Sequence, residues 1–213
     1  MGQQPIRYPA PAGIVQVEEV IKRSRFIGTA GPAATVEEAQ VFIAEVRQRY
    51  GDATHNAWAF AVGIGDSAVR GMSDDGEPSG TAGQPILARI DGSGLGDLVM
   101  VVTRYFGGVK LGTGGLVRAY GGVAGMVIAA LDVVEKVRMK RIDLEAVHYS
   151  HYGPLRGLIA AHGGQVIEET FGEAVDIRVA VPLDRLVPFA NDARDATAGA
   201  VNIEWESTNA QDF

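Results

Sequence analysis

The feature that most constrains the fold is a buried strand that leads through a glycine-rich turn into a long helix. Residues 97–106, DLVMVVTRYF, form an almost continuous apolar run, which is typical of a strand covered on both faces. Five glycines follow between positions 107 and 115, a segment called the glycine-rich turn below, and Thr113 is expected to be the N-cap of the helix. Apolar side chains then recur at helical spacing, at Leu116, Tyr120, Val123, Val127, Ala130 and Val134.

The residues before this segment predict further elements of the same domain. Residues 35–51 predict an amphipathic helix, because Thr35 and Glu38 make a capping box and Gly51 ends the apolar pattern. The other expectations are one or two strands within 14–31, a strand over 56–64, a polar glycine-rich loop over 65–80 and a short helix over 81–90. Ser79 and Thr81 are natural caps for this short helix.

The pattern changes near residue 136, which divides the chain into domains 1–135 and 136–213. The second part reads as strand, helix, hairpin, helix and strand. This βαββαβ order is the ferredoxin-like arrangement. The predicted fold class is therefore α+β, with an N-terminal α/β domain and a C-terminal ferredoxin-like domain.

Composition limits the function classes. The net charge of -7 argues against binding of polyanions through bulk charge. The segment between Asp97 and Asp132 nevertheless has no acidic residue, and it contains Arg104, Lys110 and Arg118. The absence of cysteine excludes disulfides and thiolate chemistry. The first residues show no secretory signal, and no apolar run is long enough to span a bilayer. We therefore expect a cytoplasmic protein without a membrane partner.

The glycine-rich turn is the sharpest candidate site. A turn between a buried strand and a helix start leaves backbone N–H groups unpaired at the positive end of the helix dipole, which suits an anion. Gly112, Thr113 and Gly114 would supply those groups, and the nearby cations would reinforce them. The turn is not a P-loop, because the required Lys is absent. The alternative is that the glycines only permit a tight turn with positive φ.

A metal site and acid–base chemistry are weaker hypotheses. Asp74, Asp75 and Glu77 are suited to a hard cation such as Mg²⁺, but nothing in the sequence supplies the remaining ligands, and DDGEP is ordinary turn chemistry. His55 is a candidate acid or base. We expect no metal and no cofactor, and we assign no catalytic residue.

Four ordered blocks of the first domain resemble the motifs of the Impact/YigZ family. The blocks are SRFIG (24–28), THNAWAF (54–60), SDDGEPSGTAGQPIL (73–87) and VVTRYFGGVKLGTGGLVRAYG (101–121). The second domain is similar to the one that bacterial members carry. The resemblance implies an N-terminal domain like domain IV of elongation factor G and a C-terminal domain like its domain V. Both comparison domains work on the ribosome, so the resemblance implies RNA binding.

Eukaryotic Impact proteins regulate translation through a protein partner that an additional N-terminal domain binds, and this sequence shows no counterpart of that domain. A protein partner in translation control remains a secondary expectation. The leading hypothesis is a non-enzymatic protein that binds RNA or the ribosome. The anion- or RNA-binding residues would be Arg25, His55, Arg104, Tyr105, Lys110, Gly112, Thr113, Gly114 and Arg118.

Two alternatives stay open. The first is an enzyme acting on a phosphorylated small molecule, with phosphate at the glycine-rich turn and His55 as acid or base. A metal would bind the loop that carries Asp74, Asp75 and Glu77, called the acidic loop below. This function requires the acidic loop and the glycine-rich turn to meet in one pocket. The second is a protein-interaction module whose motifs chiefly maintain a glycine-dependent fold.

Overall fold

The computed structural model describes residues 7–205, and for Trp205 the backbone alone. The chain divides into two compact units between Lys136 and Val137. Each unit combines helices with antiparallel strands, so the predicted α+β class is confirmed. Within the described part of the chain, none of the helices combines the length and the apolar character needed to cross a membrane.

The first unit is built on a five-stranded antiparallel sheet. In chain order the elements are β1 (Arg7–Pro11), β2 (Val15–Ile21), β3 (Ser24–Pro32), α1 (Val36–Arg49), β4 (His55–Val62), β5 (Val69–Ser73), α2 (Gly83–Ser93), β6 (Leu98–Tyr105), α3 (Thr113–Ala130) and β7 (Val133–Val137). The strands of the sheet lie in the order β2, β3, β6, β4, β5, and a separate two-stranded ribbon pairs β1 with β7.

The central strand β6 explains the continuous apolar run. Because side chains alternate across a strand, Met100 and Val102 pack with α2 and α3, while Val99 and Val101 pack with α1 on the opposite face. Both faces are therefore buried under helices, as the sequence predicts.

The first helix begins and ends close to its predicted limits. The side chain of Thr35 accepts a hydrogen bond from the backbone N–H of Glu38 at 3.1 Å, and Glu38 in turn accepts one from Ala34 at 2.7 Å. These bonds satisfy N–H groups that the helix itself cannot pair. The apolar face is buried at Ala39, Phe42, Ile43 and Val46, as predicted.

Three elements differ from the sequence predictions. The predicted loop over 65–80 contains the edge strand β5, in which Gly71 lies under the ring of Phe60, where a Cβ would collide. The predicted helix through Val134 instead ends at Ala130, because Val133 and Val134 belong to β7 and pair with β1. Strand β1, in a proline-rich segment, was not predicted at all.

The start of α2 also corrects a prediction, because neither Ser79 nor Thr81 caps it. Asp74 does: one carboxylate oxygen accepts from the backbone N–H groups of Ala82 (2.9 Å) and Gly83 (2.8 Å), and the other accepts from Gly80 (2.8 Å). Burial alone would raise the pKa of Asp74, but these three donors together hold that pKa below its usual value.

Replacing Asp74 with Asn should lower the free energy of unfolding by about 1 kcal/mol at neutral pH, because an amide accepts hydrogen bonds less strongly than a carboxylate. The pKa of Asp74 is lower in the folded than in the unfolded chain, so its contribution is complete above the unfolded-state value and is lost as the pH falls through the folded-state value. Urea denaturation should therefore show the difference between the two proteins shrinking below about pH 4.

The control for this prediction is Asp66→Asn. It removes the same charge from an exposed side chain that makes no hydrogen bond to any described residue. Asp66→Asn should leave stability almost unchanged. If D74N lost no more stability than D66N, or if the stability that D74N loses did not vary with pH, Asp74 would not be the cap.

The second unit has the predicted βαββαβ order. Its elements are β8 (Met139–Val147), α4 (Tyr149–Ala161), β9 (Gln165–Phe171), β10 (Val175–Pro182), α5 (Leu186–Ala196) and β11 (Asn202–Trp205). The sheet has the strand order β11, β8, β10, β9 with antiparallel neighbours, and the core contains Ile142, Leu144, Leu155 and Phe189.

Candidate functional site

A buried ion pair forms the base of the candidate site. Nη1 of Arg104, near the end of β6, lies 2.6 Å from Oε1 of Glu77, and the two side chains are only 6% and 3% exposed. Tyr120 of α3 donates its hydroxyl to the same Oε1 at 2.8 Å. Desolvation, with the nearby negative charge of Glu77, raises the pKa of Tyr120 far above its ordinary value, so this hydroxyl stays protonated and remains a donor.

The guanidinium of Arg104 is held between two aromatic rings. Its central carbon lies 5.5 Å from the centre of the Phe26 ring and 5.3 Å from that of Phe106, which are cation–π distances. Its Nη2 is 3.4 Å from the hydroxyl of Ser24, and its buried Nε has no hydrogen-bond partner among the described residues. Arg104, a candidate anion-binding residue in the sequence, is thus a buried and paired cation that also contacts the ring of Phe106.

A groove of about 420 Å³ opens beside this ion pair. It brings together the end of β6, the start of β4, the acidic loop and the glycine-rich turn, so those last two segments do meet. The lining residues are Thr54, His55, Glu77, Pro78, Arg104, Phe106, Lys110, Leu111, Gly112, Thr113 and Leu116.

The acidic candidates are bonded to protein donors. Asp75 accepts from the backbone N–H of Asn56 at 2.6 Å and from Arg47 at 2.8 Å, while Asp74 caps α2 and Glu77 pairs with Arg104. Among residues 7–205, no cluster of three His, Asp or Glu side chains is placed to hold a metal ion. The three carboxylates therefore have identifiable structural partners.

His55 has a defined tautomer. Its Nδ1 lies 2.8 Å from the backbone carbonyl oxygen of Asp75. Since a carbonyl oxygen can only accept, Nδ1 must carry the hydrogen, and Nε2 of the neutral ring is left with a lone pair. This Nε2 is 3.9 Å from Oε2 of Glu77, and both atoms belong to residues that line the groove.

The glycine-rich turn is positioned by close backbone contact with the β2–β3 turn. The N–H of Gly107 donates to Ser24 at 3.2 Å, and a Cβ at Gly107 would collide with the carbonyl group of Arg23. Further along, Gly112 has a φ of 74° and is itself the N-cap of α3, so the prediction that Thr113 is the N-cap is wrong by one residue. No side chain caps this helix start.

The nine candidate residues fall into separate places. Antiparallel pairing puts Arg25 opposite Tyr105 and Phe26 opposite Arg104, so alternation sends Arg25 and Tyr105 to the sheet face away from the groove. There Arg25 donates to Glu18 at 2.8 and 2.9 Å. The groove itself receives His55, Arg104, Lys110, Gly112 and Thr113. Gly114 and Arg118 lie exposed in the first turns of α3.

Sequence reasoning missed two parts of the site. Tyr120 reads as a core residue from its helical spacing, and it is fully buried, yet its hydroxyl holds Glu77. Thr54 accepts a hydrogen bond from the N–H of Phe106 at 3.0 Å and so fixes the start of the glycine-rich turn. The only available signal was that both residues lie inside the ordered sequence blocks.

Comparison with known proteins assigns the family. The model of the Impact N-terminal domain matches residues 22–128, and a domain of unknown function, DUF1949, matches residues 146–200. IMPACT family member YigZ of Escherichia coli K12 is 38% identical over 194 residues, which cover 91% of this chain and 95% of that protein. The chain belongs to the Impact family. This confirms the resemblance that the four sequence blocks indicate.

Other relatives extend the match across both units. IMPACT family member YvyE of Bacillus subtilis is 36% identical over 187 residues, covering 88% of this chain and 85% of that protein. A crystal structure described as that of a hypothetical protein superposes with a TM-score of 0.78 at 36% identity, covering 96% of this chain and 100% of that one. The fold is therefore shared with an experimentally determined structure.

The buried ion pair leads to a prediction about stability. Replacing Arg104 with Met should lower the free energy of unfolding by about 3–5 kcal/mol, because Glu77 would be left as an uncompensated buried charge. The double variant R104M/E77Q should recover a large part of that loss, since the charge is then removed while an acceptor for Tyr120 remains. Urea denaturation of the two variants measures both effects.

The matched control is Arg25→Met, which breaks the exposed pair with Glu18 and should change stability little. Two results would contradict the prediction: R104M as stable as R25M, or R104M/E77Q less stable than R104M. Either result would show that Arg104 is not needed to compensate the charge of Glu77.

Proposed function

We propose that the chain is a non-enzymatic, cytoplasmic protein that binds single-stranded RNA, ribosomal RNA included, and acts in translation. The groove would hold an unpaired nucleotide. The observation that carries the proposal is Phe106, an aromatic ring that lines the groove and is still 45% exposed. Proteins recognise unpaired bases chiefly by stacking them on such rings.

The surroundings of the groove suit a phosphate. Lys110 and the uncapped start of α3 at Thr113 lie along the same groove, and Arg118 is exposed one turn further along the helix. A helix start offers unpaired N–H groups and a positive dipole end to an anion. A nucleotide with its base on Phe106 could therefore place its phosphate at this end.

A second group of cations lies next to the glycine-rich turn. The close contact between Gly107 and Arg23 brings the exposed residues Lys22 and Arg23 to this edge of the unit. With Lys110 and Arg118 they would supply local positive charge in a chain of net charge -7. Local charge of this kind supports binding to an RNA backbone in spite of the acidic total.

Membership of the Impact family supports a role in translation, because the family resemblance implies domains of a kind that work on the ribosome. A protein partner in translation control would be compatible with this role. Nothing in the proposal requires such a partner for the groove to bind RNA.

An enzyme acting on a phosphorylated small molecule is the second candidate. One observation favours it: Glu77, His55, Lys110 and Thr113 converge on a single groove. Its metal component loses support, since Asp74 and Asp75 bond to backbone and Arg donors elsewhere. The two functions differ in ligand length, because an enzyme for small molecules would bind a mononucleotide as tightly as an oligonucleotide, whereas an RNA-binding protein gains affinity with each added contact.

The proposal predicts that the variant K110A/R118A binds single-stranded RNA more weakly. Fluorescence anisotropy with a labelled oligonucleotide of mixed sequence should show a dissociation constant raised by about 10-fold or more at low salt. The slope of log affinity against log salt should fall by about 1.4, since each lost phosphate contact with a single strand contributes about 0.7.

The matched control is R185A/R194A, which removes two exposed arginines from the second unit and changes the net charge equally. RNA affinity should be unchanged in this control. If K110A/R118A binds RNA as tightly as the unmodified protein, or if both double variants weaken binding equally, the groove is not the RNA site.

A further inference from the structure

Two hydrogen-bond acceptors face each other in the groove. Oε1 of Glu77 accepts hydrogen bonds from Arg104 and Tyr120, whereas Oε2 accepts none from any described residue. Nε2 of His55 lies 3.9 Å from this Oε2. That distance is too long for a hydrogen bond, and with Nδ1–H bonded to Asp75 the neutral ring presents a lone pair there.

Both acceptors are held in place by their other partners. Arg104 and Tyr120 fix the carboxylate of Glu77, and the carbonyl of Asp75 fixes the ring of His55. Neither acceptor can turn away to a different donor without breaking one of these bonds. Because both residues line the groove, the pair is a preorganised receptor for a group that enters the groove and donates hydrogens.

An amino group fits this pair and a carbonyl does not. A single –NH₂ carries two hydrogens, one for each acceptor, whereas a carbonyl oxygen would bring a third acceptor next to a negative charge. Cytosine, adenine and guanine each carry an exocyclic amino group on an exposed edge, and the equivalent position of uracil is a carbonyl oxygen. A groove of about 420 Å³ is within the size range of sites that hold small ligands.

We infer that Glu77 and His55 select an unpaired base that carries an amino group and discriminate against uracil. The inference rests on the proposed function, because it needs a base stacked on Phe106. His55 and Glu77 would then determine base specificity, while Lys110 and Arg118 would contact phosphate and would not distinguish one base from another.

The test compares oligo(C) with oligo(U), each about eight nucleotides long, a length within the usual site size of single-strand binders. Both bases have a single ring, so the comparison isolates the amino and carbonyl groups. Fluorescence anisotropy at neutral pH should show that the unmodified protein binds oligo(C) about 10-fold more tightly, the discrimination expected from one well-placed base contact.

Variants separate base selection from phosphate binding. His55→Leu should bring the ratio of the two affinities close to one, and His55→Gln, whose amide oxygen can still accept, should recover part of the preference. Lys110→Ala should weaken the binding of both oligonucleotides and leave their ratio unchanged. If His55→Leu fails to fold, equal binding of the two oligonucleotides to the unmodified protein would still overturn the inference, and His55→Gln would still test the role of the ring.

The outcomes distinguish this inference from the proposed function. Equal binding of oligo(C) and oligo(U) to the unmodified protein overturns the base selection and leaves RNA binding standing. Failure to bind either oligonucleotide overturns the proposed function and this inference with it. A preference for oligo(C) that survives unchanged in His55→Leu removes His55 from the selection.

Discussion

The buried pair of Arg104 and Glu77 is the interaction on which the candidate site depends. It joins β6 to the acidic loop and, through Tyr120, to α3. Burying two charges generally costs about as much free energy as their pairing returns, so such a pair is a poor source of stability. Its effect here is geometric: it supports Phe106 and fixes Glu77 so that one carboxylate oxygen faces the groove.

The pleat of the sheet decides which motif residues can act together. In the consecutive residues Arg104, Tyr105 and Phe106, the first points to the α2–α3 face and the second to the α1 face, where it donates to Asp52 at 2.7 Å. Phe106 lies beyond the end of the strand, and its ring contacts the guanidinium of Arg104. A motif that is continuous in sequence is therefore divided between two surfaces, and one of these contains the groove.

The features that were predictable from sequence depend on neighbours a few residues apart. Helix α1 is predictable because its cap and its apolar face lie within one short segment, and β6 because burial on both faces leaves a continuous apolar run. Three features were missed because each depends on a partner outside its own segment. Strand β5 packs Gly71 against the ring of Phe60, and the cap of α2 is Asp74, which lies eight or nine residues before the N–H groups that it caps. The ribbon of β1 with β7 pairs residues more than a hundred positions apart. For the same reason, the motifs identified Arg104 and Glu77 but could not show that they neutralise each other.

The acidic composition of the chain limits where the proposed RNA ligand can bind. In the second unit, Asp143, Glu145, Glu168 and Asp176 line a cavity on the sheet, and the Arg178 among them already donates to Asp143 and Glu168 at 2.9 and 3.0 Å. This surface would repel phosphate. In the first unit, by contrast, no acidic residue lies between Asp97 and Asp132, the segment that contains Lys110 and Arg118. Non-specific binding to nucleic acid grows with the number of phosphates that a protein can neutralise. Under the proposed function, the acidic residues elsewhere would therefore favour RNA contact at the groove, where Phe106 is exposed and where His55 and Glu77 would select the base.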